Sequence, residues 1–241
     1  NKIVSPPGVA PVISPFDENA VEAALKIKDS KPDTKITILS LGVNLTRDVV
    51  KKPLAMGADE LILLEDPAFD GGDSWSTATA LAAAIKKLGN IDLVLCGRQA
   101  ADWDAGQVGS GLGVMLGLPC VTLVKKIELQ DGKAKVQRVI TDGYQVIEVD
   151  LPAVLTISNE IGQPRYAALK GIMAAARKQP VIWKPADIGL EPSKVGAAGN
   201  NSKVSKLFQP VKEGKCEIIG GETPVEAGTN LAVKLREAKL I

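Results

Sequence analysis

Apolar residues in this chain follow two rhythms. Over the first part they gather into short runs, Ile36–Leu41, Glu60–Leu64 and Leu93–Cys96. Runs of Val, Ile and Leu this short read as buried strands, of the kind found when helices cover both faces of a parallel sheet. Helical spacing fills the intervals. Ser14-Pro15-Phe16-Asp17 has the form of a capping box, with a Ser N-cap, Pro at the first helical position and an acid three residues on. Ala20, Val21, Ala24 and Leu25 then make the apolar face of the helix that follows. A second helix is expected over Thr46–Met56, closed by Gly57, with Pro53 as a kink or stop inside it. A third runs from about Ser76 to Leu88 through Ala78, Leu81, Ala82 and Ile85, and Gly89 ends it.

From Cys120 onward the period changes to two. Lys126–Leu129, Lys135–Ile140 and Tyr144–Val149 alternate apolar and polar residues, with Asp131-Gly132 and Asp142-Gly143 between them as hairpin turns. Pro152–Ile157 reads as a further core strand. The pattern therefore predicts an α/β fold: a doubly wound, mostly parallel sheet with an antiparallel hairpin extension and a C-terminal arm plus helix. Residues 1–190 form the α/β domain and 191–241 the arm and helix. Gly196–Gly220 is rich in Gly, Asn, Ser and Lys, and Thr223-Pro224-Val225-Glu226 opens the last helix as a second capping box. Its narrow stripe of Ala227, Leu231, Leu235 and Ala238 has two readings, packing on its own domain or packing on another subunit.

Composition narrows the chemistry. The 241 residues contain no histidine, which removes Ser-His-Asp and Cys-His catalysis and His-ligated zinc. Lys and Arg number 29 against 28 Asp and Glu, so no basic excess points to nucleic acid or an acidic membrane. Cys96, Cys120 and Cys216 are widely spaced and form no CxxC motif, which favours a reducing compartment. No apolar run reaches membrane-spanning length and no metal site is expected. The chain does not begin with Met, so a preceding segment is expected.

Three loops carry the candidate chemistry. GxxxxGK[ST] is absent, and Gly109, Gly111 and Gly113 do not complete GxGxxG. Small-residue loops that feed helix N-termini are nonetheless where phosphate binds in such folds. The first loop is Ser14–Asp17, which is also explained as a plain helix start. The second is Phe69-Asp70-Gly71-Gly72-Asp73-Ser74-Trp75-Ser76-Thr77, also explained as a turn. The third, Cys96–Gly109, is polar, with Arg98, Asp102 and Asp104 flanked by Gln99 and Gln107. Its two acids also fit a hydrolase, although they make a poor metal site on their own. Of the three Phe, three Trp and two Tyr, Phe16, Phe69, Trp75 and Trp103 fall in these loops and Tyr166 lies further on. A planar ligand is one reason to place rings there.

Ser14–Ala20, the Gly97–Gly109 loop, Leu54-Ala55-Met56-Gly57-Ala58-Asp59 and Pro164-Arg165-Tyr166-Ala167-Ala168-Leu169-Lys170-Gly171-Ile172-Met173, in chain order, resemble the small (beta) subunit of electron transfer flavoproteins. The resemblance covers nearly the whole chain. It implies a heterodimer that passes electrons between flavoenzymes, with the C-terminal arm wrapping the large (alpha) subunit. It implies an adenine-nucleotide pocket formed by Ser14, Pro15, Phe16, Asp17, Leu41, Gly42, Cys96, Gly97, Arg98, Gln99, Ala100, Asp102, Trp103, Asp104, Ala105, Gly106, Gln107 and Val108. The pocket holds AMP in conventional members and a second FAD in electron-bifurcating ones. Phe69–Thr77 resembles a stretch typical of the two-FAD branch, so FAD is the expected cofactor, with Asp73, Ser74, Ser76 and Thr77 near its diphosphate or ribityl chain.

Ser158–Lys170 resembles the loop that docks on acyl-CoA dehydrogenase-type flavoenzymes, and Leu169 matches its apolar anchor. Pro164, Arg165, Tyr166, Ile172 and Met173 belong to the same docking segment. In the bifurcating version NADH is the donor, and a low-potential acceptor of the ferredoxin or flavodoxin kind takes one electron of each pair. Cytoplasmic location in a bacterium or archaeon fits better than the mitochondrial matrix. Trp103 replaces the small residue usual at its position. The family also opens with a strand and hairpin, whereas here Asn1–Ala10 leads almost directly to Ser14. The readings outside this branch are an AMP-binding single-FAD carrier, a stand-alone adenine-nucleotide-binding regulatory module, and the hydrolase.

Overall fold

The structure, a computed structural model, describes residues 8–208, 211, 214 and 216–241. The opening segment Asn1–Pro7, where the departure from the family pattern begins, lies outside the described residues. Two compact units are present, Ser5–Lys203 and one containing Val204–Ile241.

In the larger unit, helix α1 (Pro15–Ser30) begins on Pro15, carries Asp17 and Glu18 in its first turn and Lys28 in its last. That order suits both the proline at N1 and the helix dipole. Strand β1 (Thr37–Gly42) pairs in parallel with β2 (Glu60–Glu65). Between them the expected second helix is two short ones, α2 (Arg47–Val50) and α3 (Lys52–Met56). Pro53 cannot donate to the preceding turn, so it sits at the start of α3 rather than inside one helix. Helix α4 (Ser74–Leu88) and strand β3 (Leu93–Gly97) follow, then helix α5 (Val108–Leu116). Strands β4 (Cys120–Gln130), β5 (Lys133–Ile140) and β6 (Gly143–Asp150) make the antiparallel extension, and β7 (Ala153–Ile157) returns to the core. Helix α6 (Leu169–Arg177) and strand β8 (Val181–Trp183) complete the main elements of this unit.

The strands form two sheets, β1-β2-β8, all parallel, and β3-β7-β4-β5-β6, mixed. The edges of β1 and β3 have one hydrogen-bonded neighbour each and both line a groove of about 1060 Å³. This explains why β1 and β3 are half-buried along their whole length, while β7 is fully buried. Helices join what the strands do not. From α1, Ala20 and Ala23 pack with Val124, Val136, Leu155 and Ile157 of the mixed sheet. On the adjacent face of the same helix, Val21 and Leu25 pack with Leu61 and Leu63 of β2 and with Leu54 and Met56 of α3. Helix α4 has the same double role, with Ala80 and Ala84 against Leu64 and Phe69, and Ala82 against Leu112 and Val154.

The expected arm divides. Residues 192–202 pack in the larger unit through Asp73. Its carboxylate caps α4 by accepting from Ser76 N (2.9 Å), and it accepts from Asn201 N (2.9 Å), Ser202 N (2.8 Å) and Ser202 Oγ (2.8 Å). Gly196 backs onto the Ala68 and Asp70 carbonyls, with φ +54, where any Cβ would fall 2.1 Å from an oxygen. In the smaller unit, α7 (Pro224–Glu237) starts as expected, with Thr223 Oγ1 accepting from Glu226 N (3.2 Å). The Glu226 carboxylate reaches back to Glu222 N (2.8 Å), one residue before the capping-box position. No residue of α7 is buried. Among the described residues no helix is long and apolar enough to cross a membrane.

Asp73→Ala removes a helix cap, worth about 1 kcal/mol, together with the acceptor that holds residues 201 and 202. We expect a stability loss of about 1–2 kcal/mol in denaturant melts. Amide exchange should accelerate at Asn201 and Ser202 more than in the strands.

Candidate functional site

Two of the three loops meet. Gly97, the last residue of β3, donates its N–H to Asp17 Oδ1 at the start of α1 (3.2 Å). A Cβ on Gly97 would lie 2.6 Å from that oxygen and 2.8 Å from the Phe16 carbonyl carbon, so only glycine lets the strand end and the helix start approach this closely. Arg98 then stacks over the Phe16 ring, its guanidinium 5.3 Å from the centroid.

The capping box at Ser14 does not form. Asp17 turns to Gly97, and Ser14 makes no side-chain cap bond. Its Oγ is buried without a partner. An unpaired buried hydroxyl at a helix start is an open donor and acceptor for a ligand, since buried polar groups are otherwise paired. Crowding by the protein pushes the Asp17 carboxyl upward against the opposing Gly97 bond, although the residue keeps an open face.

The rest of the third loop is held by its own residues. Gln99 receives a bond from Arg98 Nε (3.2 Å) and donates to Asp104 Oδ1 (2.6 Å). Asp104 adopts φ 52, and its N–H bonds the Ala100 carbonyl (3.0 Å). This acid therefore shapes the loop, while Asp102 and Trp103 face outward. Ala105, Gly106, Gln107 and Val108 lead into α5. Gly106 passes close to the Arg98 carbonyl. Gly109 allows α5 to touch Thr156, since a Cβ there would be 2.4 Å from Thr156 Cγ2. The glycines of α5 thus serve packing. Cys96 lies on β3 beneath the loop, where burial, aided by the Asp17 and Cys120 charges, pushes its thiol up to about 12. It stays protonated and unreactive at neutral pH.

Leu41 and Gly42 end β1, half-buried, with Gly42 packed on Leu45. The second loop is joined to the arm, and the helix it opens, α4, packs on α5 at the end of the third loop, where a Cβ on Gly111 would lie 3.1 Å from Ala78 Cβ. Asp73 serves the contacts above, and Ser76 is buried with Oγ against the Asp73 carbonyl (3.4 Å). Ser74 and Thr77 are half-buried in the first turn of α4. Phe69 is core, 3% exposed, packed with Leu64 and Ala80, so it does not mark a ligand. Trp75 and Trp103 are exposed rings.

The docking segment has a fixed base and an open edge. Arg165 donates to Glu22 through Nε (2.9 Å), Nη2 (3.0 Å) and its backbone N (3.0 Å), and to Asp29 through Nη2 (2.6 Å). Glu22 is a buried acid on α1. Burial alone would raise it, but the Arg165 bonds outweigh that and hold its carboxyl below the usual range. Past this clamp, with Pro164 half-buried, Tyr166 is 99% exposed and Leu169 74%, with Ile172 and Met173 also open. Leu169, Ile172 and Met173 share one helix face at i, i+3 and i+4. Gly171 lies against the Ala55 carbonyl and seats the opposite side of α6 on α3. The Arg165–Glu22 clamp carries no signal of its own in the sequence, because its partners are 143 residues apart.

Glu22 contributes stability above its unfolded value near 4.5, and that contribution disappears as pH falls through its lower folded value. Arg165→Gln should therefore cost about 2 kcal/mol at pH 7. The gap from the parent chain should shrink below pH 4 in denaturant melts taken across pH.

The model of the electron transfer flavoprotein domain matches residues 5–188. The chain is 44% identical over 234 residues to the caffeyl-CoA reductase-Etf complex subunit CarD of Acetobacterium woodii, covering 97% of this chain and 89% of that protein. It is 39% identical over 209 residues to the electron transfer flavoprotein subunit beta of Megasphaera elsdenii, covering 84% and 77%. It is 34% identical over 240 residues to the acryloyl-CoA reductase electron transfer subunit gamma of Anaerotignum propionicum, covering 97% and 89%. With the fold and the convergent loops in place, these matches show that the chain belongs to the electron transfer flavoprotein family, on its beta-subunit side.

Proposed function

We propose that this chain holds FAD where the start of α1 meets the end of β3, and that, paired with a large subunit, it serves electron transfer to a CoA-linked reductase or dehydrogenase. The observation that carries the nucleotide part is the Asp17–Gly97 contact beside the unpartnered Ser14 hydroxyl. Ser14, Phe16, Gly97, Arg98 and the loop to Val108 would hold the adenosine end, with Arg98 as its cation. Bound FAD supplies hydride and single-electron chemistry. The chain's own side chains bind and orient it. The sequence lacks histidine, and burial pushes the Cys96 thiol up to about 12.

Two relatives support the CoA-linked partner by their names, as parts of caffeyl-CoA reductase and acryloyl-CoA reductase systems. The exposed Tyr166, Leu169, Ile172 and Met173 supply a small apolar edge of the kind a transient redox partner uses. The finer reading is bifurcation, with NADH as donor and a ferredoxin- or flavodoxin-type acceptor beside the CoA-linked enzyme. Its support is the likeness of Phe69–Thr77 to the two-FAD branch.

Nucleotide extraction from the copurified two-subunit complex should give two FAD per heterodimer. One FAD with one AMP would overturn the FAD assignment and leave a single-flavin carrier. Independently, Leu169→Ala should slow electron delivery to the CoA-linked partner about tenfold with bound nucleotide unchanged. Loss of nucleotide instead would make Leu169 a packing residue.

A further inference from the structure

The docking segment is mounted on one stripe of α1. Glu22, Lys26 and Asp29 follow at i, i+4 and i+7, on one side of the helix. Lys26 Nζ donates to the Ile161 carbonyl (2.7 Å), which ends a short 3-10 turn, Asn159–Ile161. Gly162 follows with φ +112, and a Cβ there would fall 3.2 Å from the same ammonium. Three residues on, a single carboxylate oxygen of Glu22 accepts from both the main chain and the side chain of Arg165, from N (3.0 Å) and Nε (2.9 Å). Asp29 takes the other side of the guanidinium, through Nη1 (3.3 Å) and Nη2 (2.6 Å). Arg165 therefore turns toward α1, behind the surface that Tyr166 and Leu169 present.

Little else fixes the path from there to the exposed edge. Residues 162–168 form neither helix nor strand. Among the described residues, the hydrogen bonds of residues 163–167 all run through Arg165. Helix α6 begins on Ala168, which has no side-chain acceptor to cap it, and Ala175 is the one residue that the helix buries. Its far end is tied twice, by Lys51 Nζ to the Ala176 carbonyl (3.3 Å) and by Lys178 Nζ to the Asp59 carbonyl (2.6 Å). The near end, which carries Leu169, has the packing of Ala167 and Gly171 and, four residues upstream, the clamp on Glu22.

We propose that Glu22, acting with Asp29 through Arg165, is a positioning residue for the docking edge: it holds Tyr166 and Leu169 in the arrangement that a partner binds, before the partner arrives. The inference rests on the docking reading above and adds to it a buried acid of α1. An edge ordered in advance loses less conformational freedom on association. Loss of the clamp therefore shows in affinity for the partner, while the electron-transfer step and the nucleotide stay as they were.

The test measures electron delivery from the intact heterodimer to an acyl-CoA dehydrogenase at varied concentration, and separately to a small dye acceptor that needs no docking. Glu22→Gln should raise the KM for the dehydrogenase about fivefold and leave kcat, dye reduction and bound nucleotide unchanged. Arg165→Lys, which keeps the charge and loses the planar fork, should behave in the same way. Asp29→Asn, at the exposed end of the clamp, should raise KM about twofold. The double variant Glu22→Gln with Leu169→Ala should match Leu169→Ala alone, because a displaced edge has no anchor left to lose. An unchanged KM in Glu22→Gln, with Leu169→Ala raising it, overturns the positioning role and leaves the docking edge standing. Multiplication of the two effects in the double variant also overturns it, as does an equal fall in dye reduction, which marks a general structural loss. Should Glu22→Gln fail to fold, Arg165→Lys and Asp29→Asn decide, and an unchanged KM in both overturns the role. An unchanged KM in Leu169→Ala overturns the docking edge, and the positioning role with it.

Discussion

Helices that touch both sheets hold the larger unit together, α1 foremost. Among the described residues no strand of one sheet pairs with a strand of the other, so their relation depends on side chains that touch both, and α1 supplies them on adjacent faces of one cylinder. Ala20 and Ala23 are small enough to bring the helix close to the mixed sheet, while Val21 and Leu25 reach the parallel one. Burial of this kind is worth about 25 cal/mol per Å² of apolar surface. It stabilises the α1 interface only while both sheets stay in contact with the same helix. Helix α4 repeats the arrangement through Ala80, Ala82 and Ala84. Alanine is frequent here because each helix must serve two neighbours on successive residues.

The same helix fixes the candidate site and the docking segment. Its first turn delivers Asp17 to Gly97, its middle delivers Glu22 to Arg165, and its last turn delivers Asp29 to the same guanidinium. A shift of α1 along its axis would disturb all three together. The nucleotide loops and the exposed Leu169 edge are thus tied to one rigid element. This is the arrangement that the proposed cofactor site and the proposed docking edge require of the fold. Rigidity is achieved with one buried acid, Glu22, and one arginine that satisfies it.

Much of this was legible in the sequence because it rests on local pattern. The strands at Thr37, Glu60 and Leu93, the Asp-Gly turns and the starts of α1 and α7 depend on residues within a few positions of one another. What escaped depends on distance. The division into two sheets is not coded in any one strand. Strand β8 has three residues, two of them exposed, too few to show a period. The hold of Asp73 on Asn201 and Ser202 could not be read, because those residues lie more than 120 positions away. Phe69 read as a ring at a site and is instead a core residue, since sequence places a ring in a loop without saying which way the loop faces. Pro53 was read correctly as a break, but its place at the start of a new helix follows from the backbone alone.

Arg138 shows the limit from the other side. In the alternation Lys133-Ala134-Lys135-Val136-Gln137-Arg138 it looks like one more polar residue of a solvated hairpin. Counting by twos from Ala134 instead puts it on the apolar face, where an arginine needs an acceptor. The count alone could not decide, because strand ends often turn to solvent. What decides is the combination of the fully buried Val124 opposite and the orphaned Nε. Among the described buried side chains, Ser14 and Arg138 alone keep an unpaired polar atom, and neither position announces this in the sequence.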